Sequence, residues 1–314
     1  MTLKSKLKSL ELYKQMQKIN TSNYLLVTHP IVSIKYKITS FFMKTPRVKD
    51  IDSSIHELVN SNFSLSRYGD GEFRWIDQSS SYQFQENDPI LSNRLLEILN
   101  SSLLNHRIGI PNVFSGVGEL SKTDGLAWEK LINKYGKKWS SYLNSSNIYL
   151  DANLSRPYID REKKENSGEH FKNLQKLWNK KDVLIVEGRE TRFGVNNDLL
   201  DNAANITRIL CPAENAFSSY NRILNSVIEN HTKKAIVLVA LGPTATVLCF
   251  DLCKAGIRAI DIGHLDIEYE WFLRCAEEKE PIEGKYVNEV KGGNLVTNTI
   301  INPKFLDEVV DSID

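Results

Sequence analysis

The sequence predicts an α/β fold, a mostly parallel sheet wrapped by helices, and three observations carry that expectation. Residues 183–186 and 235–241 are apolar throughout, the pattern of strands buried on both faces. These runs alternate with helical patterns long enough to cross back over a sheet. The predicted strands also end repeatedly in glycine or charged residues, at the edge where parallel sheets bind ligands. The chain is 41% hydrophobic and 25% charged, the balance of a globular protein. Its net charge of +1 excludes a general nucleic-acid binder.

Residues 1–50 stand apart as a basic, amphipathic extension, with residues 51–314 as the main domain. Ten Lys and Arg face only Glu11 and Asp50 there, a net +8, which leaves about −7 for the remainder. Lysines interleave with Leu3, Leu7, Leu10, Leu12 and Met16. Such a segment suits packing on the main domain, a protein partner or an anionic membrane surface. No signal peptide and no apolar run of membrane-spanning length is visible. The expected setting is cytoplasmic, with room for peripheral attachment at the inner face of a membrane and for a homo-oligomer. The four cysteines form no Cys-x-x-Cys pair and read as reduced core thiols.

From residue 52 the elements follow in order. A short helix over 53–60 precedes a strand over 63–67, which runs into the acidic turn Gly69-Asp70-Gly71-Glu72. On a turning backbone Asp70 and Glu72 can both face one hard cation. Asp88-Pro89 opens a helix to about residue 104, since proline favours a first helical position. A strand over 107–110, a helix capped by Thr123 or Asp124 and a strand over 148–151 come next. Arg156 follows in a polar loop, and a helix covers about 169–178. The strand over 182–188 ends in Glu187-Gly188. The long polar loop 188–198 carries Arg192, whose guanidinium can pair with a diphosphate.

A strand over 206–210, a helix over 216–230 and a strand over 235–241 lead to Gly242-Pro243-Thr244. That turn begins a helix over 245–255, and free N–H groups at a helix start favour phosphate. It lacks the Gly-Lys-Ser/Thr of a P-loop and the glycine pattern of a dinucleotide fingerprint. The last predicted strand, 257–262, delivers Gly263-His264 and the acidic run Asp266, Glu268 and Glu270, on a helix over 266–278. His264, that acidic cluster and the Asp151 strand end are the candidates for a general base.

Five ordered blocks then suggest a family: Arg-Tyr-Gly-Asp-Gly-Glu-Phe (67–73), Ser-Arg-Pro-Tyr-Ile-Asp (155–160), the stretch 186–203, Ala-Leu-Gly-Pro-Thr-Ala-Thr-Val-Leu (240–248) and Asp-Ile-Gly-His-Leu-Asp-Ile-Glu-Tyr-Glu-Trp (261–271). Over about residues 53–290 the chain resembles the GT-D-type glycosyltransferases. The resemblance implies a Rossmann-like fold and transfer of a hexose from a UDP-sugar to a glycan, on a cell-surface polysaccharide or a glycoprotein. It implies Mn²⁺ or Mg²⁺ at Asp70 and Glu72. Together with the residue readings above, this gives donor binding through Arg67, Gly69, Gly71, Arg156, Arg192, Gly242, Thr244 and His264 as an expectation, and catalytic duties among Asp70, Glu72, His264, Asp266 and Glu268. Asn196 stands where the family's Gly-Val-Gly-Asn-Asp has its middle glycine, and asparagine tolerates the left-handed backbone. A metal-dependent phosphoester hydrolase and a non-catalytic nucleotide-binding subunit of a glycan-assembly complex are the alternatives.

Overall fold

A computed structural model describes residues 29–80, 84–296 and 303–314. Among them, nine parallel strands form a single sheet in the order β1-β4-β3-β2-β8-β7-β5-β6-β9. The strands are β1 (Arg47–Val48), β2 (Ser64–Arg67), β3 (His106–Ile110), β4 (Ile148–Asp151), β5 (Asp182–Gly188), β6 (Asn205–Cys211), β7 (Ile236–Ala240), β8 (Ala259–Asp261) and β9 (Val309–Ser312). The predicted α/β class and parallel sheet hold.

Alternation along the central strands divides the core. Val183, Ile185, Ile236, Leu238 and Ile260 face one side and pack on α2 (Ile51–Val59), α6 (Ser167–Gln175) and α9 (Leu265–Leu273). Leu184, Val186, Val237 and Val239 face the other, against α7 (Tyr220–Asn230) and α8 (Pro243–Lys254). On that second side, α3 (Asp70–Ile76), α4 (Pro89–Leu99) and α5 (Lys122–Ser141) gather around Phe73, Phe114 and Trp139. Phe73 stacks on Trp139 with ring centroids 5.0 Å apart.

Helix starts follow side-chain chemistry. Asp50 caps α2 by accepting from Ser53 N–H at 2.7 Å, and Asp88 caps α4 with Pro89 at the first position. Helix α5 begins earlier than expected: Ser121, not Thr123 or Asp124, is the cap.

Three features depart from the sequence reading. The Asp70–Glu72 turn is the first turn of α3. Strand β9 and helix α10 (Pro303–Glu308) carry no clear periodic signal, yet β9 closes the far edge of the sheet against β6. Strand β1 lies before residue 51 and pairs with β4, so the sheet reaches across the expected domain boundary. Residues 29–42, here α1, are helical, and Tyr36 donates to Val113 O at 2.7 Å. The leucine-lysine pattern of residues 3–18 lies outside the described residues.

The sheet places one crevice by its topology. Strands β2 and β8 are neighbours. After β2 the chain turns to the face of α3 and α4, while after β8 it turns to the opposite face with α9. Loops that part to opposite faces leave a gap at the carboxyl ends of two adjacent strands, where ligands of such sheets bind.

Candidate active site

A cleft of about 420 Å³ opens at that gap. The ends of β2, β5, β7 and β8, the start of α3, the residues after β4 and the irregular segment 274–296 all contribute to it.

Arg67, at the end of β2, lines the cleft and ties it together. Its Nε donates to Asp261 O at 2.8 Å, Nη2 to Asp261 Oδ1 at 3.0 Å and Nη1 to Ala152 O at 3.1 Å. One guanidinium thus joins β2, β8 and the chain after β4. Gly263 makes this possible. Its φ is +51°, and a Cβ there would sit 1.8 Å from Arg67 Nη2. Arg67 is therefore chiefly a clamp between protein segments rather than a free phosphate ligand.

Asp70 and Glu72 both line the cleft, but helix geometry sends them apart, because residues two apart on a helix do not share a face. Glu72 folds back to accept from Gly69 N–H at 2.6 Å, and Asp70 lies 3.4 Å from Arg74 Nε. Gly71 also lines the cleft beside them. Desolvation pushes the Glu72 carboxyl up to about 7, although the Gly69 N–H pulls the other way. Among the described residues, no group of three or more His, Cys, Asp or Glu could hold a metal.

The densest charge lies opposite. Arg156 binds Glu289 through both terminal nitrogens, with Nη1 to Oε1 at 2.9 Å. Lys279 Nζ reaches Glu289 Oε2 at 2.9 Å and Asp160 Oδ1 at 2.8 Å. His264 Nε2 stands 3.9 Å from Glu289 Oε1. Burial opposes ionisation of Glu289, yet Arg156, His264 and Lys279 outweigh it and hold this carboxyl well below the usual range. The His264 side chain keeps 36% of its surface open. Even so, desolvation pushes its imidazole down to about 4; Glu289 opposes the shift and Arg156 adds to it. The ring is therefore neutral near pH 7. Sequence patterns point to neither Lys279 nor Glu289, because both sit in a segment without helix or strand.

Other predicted residues have different places. Asp266 lines the cleft, and Oδ1 accepts from Gly194 N–H at 2.9 Å and Asn197 Nδ2 at 2.8 Å while Oδ2 takes Lys285 Nζ at 2.7 Å. With Glu270, which also meets Asn197 and Lys285, it pins the 188–198 loop. Glu268 is fully buried and accepts from Tyr158 N–H and Ile159 N–H, each at 3.0 Å, which fixes the loop bearing Arg156. Burial raises its carboxyl to about 7. Neither Glu268 nor Asp151 is among the lining residues.

Arg192 is also outside the lining; its Nη1 donates to Gly284 O at 2.9 Å instead of facing a diphosphate site. Asn196 does adopt the left-handed backbone, with φ +64°. Gly242 lines the cleft at the start of α8 with φ +52°, where a Cβ would meet Phe84 at 2.7 Å. Thr244 is fully buried beside it, and its hydroxyl has no hydrogen-bond partner. Glu187, at the end of β5, is paired with Arg208 at 2.6 Å and supports the same loop from below.

Known proteins match this architecture. The family model "Glycosyltransferase GT-D fold" matches residues 65–290. The chain is 40% identical over 248 residues to "Probable glycosyl transferase Gly" of Streptococcus gordonii, covering 77% of this chain and 35% of that protein. It is 32% identical over 288 residues to "Glycosyltransferase GlyD" of Streptococcus pneumoniae, covering 89% of this chain and 35% of that protein. The chain thus spans about a third of the length of these curated relatives. Among solved structures, it matches a domain of unknown function 1792 described as having a distinct glycosyltransferase fold, at TM-score 0.81 and 32% identity, covering 90% of this chain and all of the other. A second, described as a new glycosyltransferase from Streptococcus sanguinis, gives TM-score 0.80 and 34% identity, covering 86% of this chain and all of that one. With the family model matched across the sheet and its cleft, the chain belongs to the glycosyltransferases of the GT-D fold.

Proposed function

We propose that the cleft binds a UDP-sugar and that the protein transfers its hexose to a glycan acceptor of a cell-surface polysaccharide or glycoprotein. The observation that carries this reading is the convergence of Arg156, Lys279 and His264 on the single carboxylate of Glu289. A carboxylate held by two cations and an imidazole marks a place built for negative charge. In this reading the donor diphosphate displaces Glu289 and takes over Arg156 and Lys279. Arg156 and Lys279 then oppose the charge that grows on the leaving nucleotide as the sugar–phosphate bond breaks. His264, neutral and at the mouth, takes the proton of the acceptor hydroxyl.

Oxygen donors that fit a hard divalent cation are present. Asp70 lies at the mouth with its side chain 28% exposed. Glu72, in the same turn, is partly buried, and desolvation raises its carboxyl. Mg²⁺ and Mn²⁺ need only one or two carboxylates when substrate phosphates complete the shell. Asp70 would offer such an ion its direct oxygen, with substrate phosphates completing the shell and Glu72 behind it in the same turn, and the ion would supply further neutralisation of the diphosphate.

The test is a panel of UDP-sugars read by thermal shift and by UDP release, with Mn²⁺ or with EDTA. A matching donor should raise the melting temperature, since a ligand of the folded state stabilises it. Arg156→Ala should weaken that binding about tenfold to a hundredfold, the range for a lost charge-assisted contact. Turnover indifferent to EDTA, and kept in both Asp70→Asn and Glu72→Gln, would sink the metal role. Release of phosphate from simple phosphoesters with no response to any UDP-sugar would replace the transferase with a hydrolase.

A further inference from the structure

Helix α1 carries an apolar stripe that faces solvent. Ile31, Ile34, Ile38 and Phe41 recur at three- and four-residue spacing, so they share one face, and Phe42 borders it. Ile31 is 69% exposed, Phe41 80% and Phe42 72%. The opposite face is the one that packs. Tyr36 and Met43 are buried, Ser33 Oγ donates to Glu129, and Asn133 donates to Val32 O at 3.0 Å. The helix is therefore anchored on α5 by one side and leaves five large apolar side chains on the other.

Charge frames the stripe. On a helical projection Lys35 falls along one edge and Lys37 along the other, and Lys44 follows just past the end of the helix; all three are exposed. Lys137 of α5 lies beside Lys44 and Phe42 around a shallow depression. No acidic residue occurs between Glu11 and Asp50. A stripe of Ile and Phe flanked by Lys35 and Lys37, with Lys44 and Lys137 at one end, matches a lipid interface, where apolar side chains enter the acyl boundary and lysines reach anionic headgroups.

We propose that α1 docks the protein, lying flat, on an anionic lipid surface. The stripe supplies the buried area and the flanking lysines select negative headgroups. Helix α5, to which α1 is fixed, lines the cleft through Asp124, Ala127, Trp128 and Leu131. The docking face and the cleft thus share one rigid support, which suits an acceptor held at a membrane.

The full chain should be tested by co-sedimentation with phosphatidylcholine vesicles made with and without phosphatidylglycerol. Binding should require phosphatidylglycerol and weaken as salt is raised. The double variant Ile34→Glu/Phe41→Glu should abolish it. Lys35→Glu/Lys37→Glu should weaken it at least about tenfold. All four positions are exposed and none lines the cleft, so melting temperature and UDP release in solution should match the parent chain. Equal binding to neutral and anionic vesicles, or binding untouched by Ile34→Glu/Phe41→Glu, would overturn the proposal. So would a dimer in light scattering that this variant dissolves while the parent ignores vesicles, because the stripe would then join two copies of the chain.

Discussion

His264 shows how one side chain takes its chemistry from its neighbours. An imidazole near pH 7 is normally divided between two charge states. Here the surrounding protein pushes it down to about 4, so the base form is present throughout the neutral range. If His264 accepts the acceptor proton, kcat/KM should hold steady as the pH falls from neutral and drop only as it nears about 4. An acidic limb centred near the ordinary 6.5 instead would remove His264 from that role. His264→Asn should lower kcat by about two to four orders of magnitude, the usual range for a lost general base. The residue and its strand end are recognisable from Asp261-Ile262-Gly263-His264 alone. Its neutrality is not, because burial is what chiefly lowers the imidazole, and the segments that enclose it, with Arg156 and Lys279 adding to the effect, are distant in sequence and meet only on folding.

At the level of elements, the join between β2 and β8 decides whether the cleft exists. Only a few backbone contacts link the two strands, with Leu65 opposite Ile260. Arg67 strengthens the seam by gripping both Asp261 oxygens, backbone and side chain. Gly263→Ala would place a methyl group on that guanidinium and force an unfavourable left-handed backbone on alanine. We expect a loss of about 2 to 4 kcal/mol in denaturant unfolding, together with weaker donor binding. A variant as stable as the parent would show that the seam does not depend on this clamp. The same seam explains a partial miss in the sequence reading. The glycine-flanked acids look like a turn that aims two carboxylates at one point. Helix α3 begins at Asp70, and Glu72 is drawn back to cap it. The acids were legible as a charged strand end, and both line the cleft, but the helical start that separates them comes with Phe73 and Trp75 packing into the core.

For the molecule as a whole, buried carboxyls link the cleft to global stability. Glu268 is fully buried, and burial raises its carboxyl to about 7, well above its unfolded value near 4.5. The folded state therefore holds a proton that the unfolded state releases between those values. Stability from this group is present at low pH and is lost as the pH rises through about 7. Glu268→Gln should remove that dependence. The stability difference between the parent chain and the variant should shift against the parent from pH 4.5 to 7 and level off above it, as read by denaturant titrations. A difference that stays flat with pH would mean that Glu268 ionises normally in the folded protein. The sequence by itself determined the α/β class, most strand positions and several of the strand ends that border the cleft. Periodic burial and helix caps are local, so their signals survive in a linear reading. Only the tertiary structure decided which charges meet. The sheet order sets β2 beside β8 and brings segment 274–296 over the cleft. Electrostatic energy depends on distance through space, and Glu289 lies 133 residues from the Arg156 it binds.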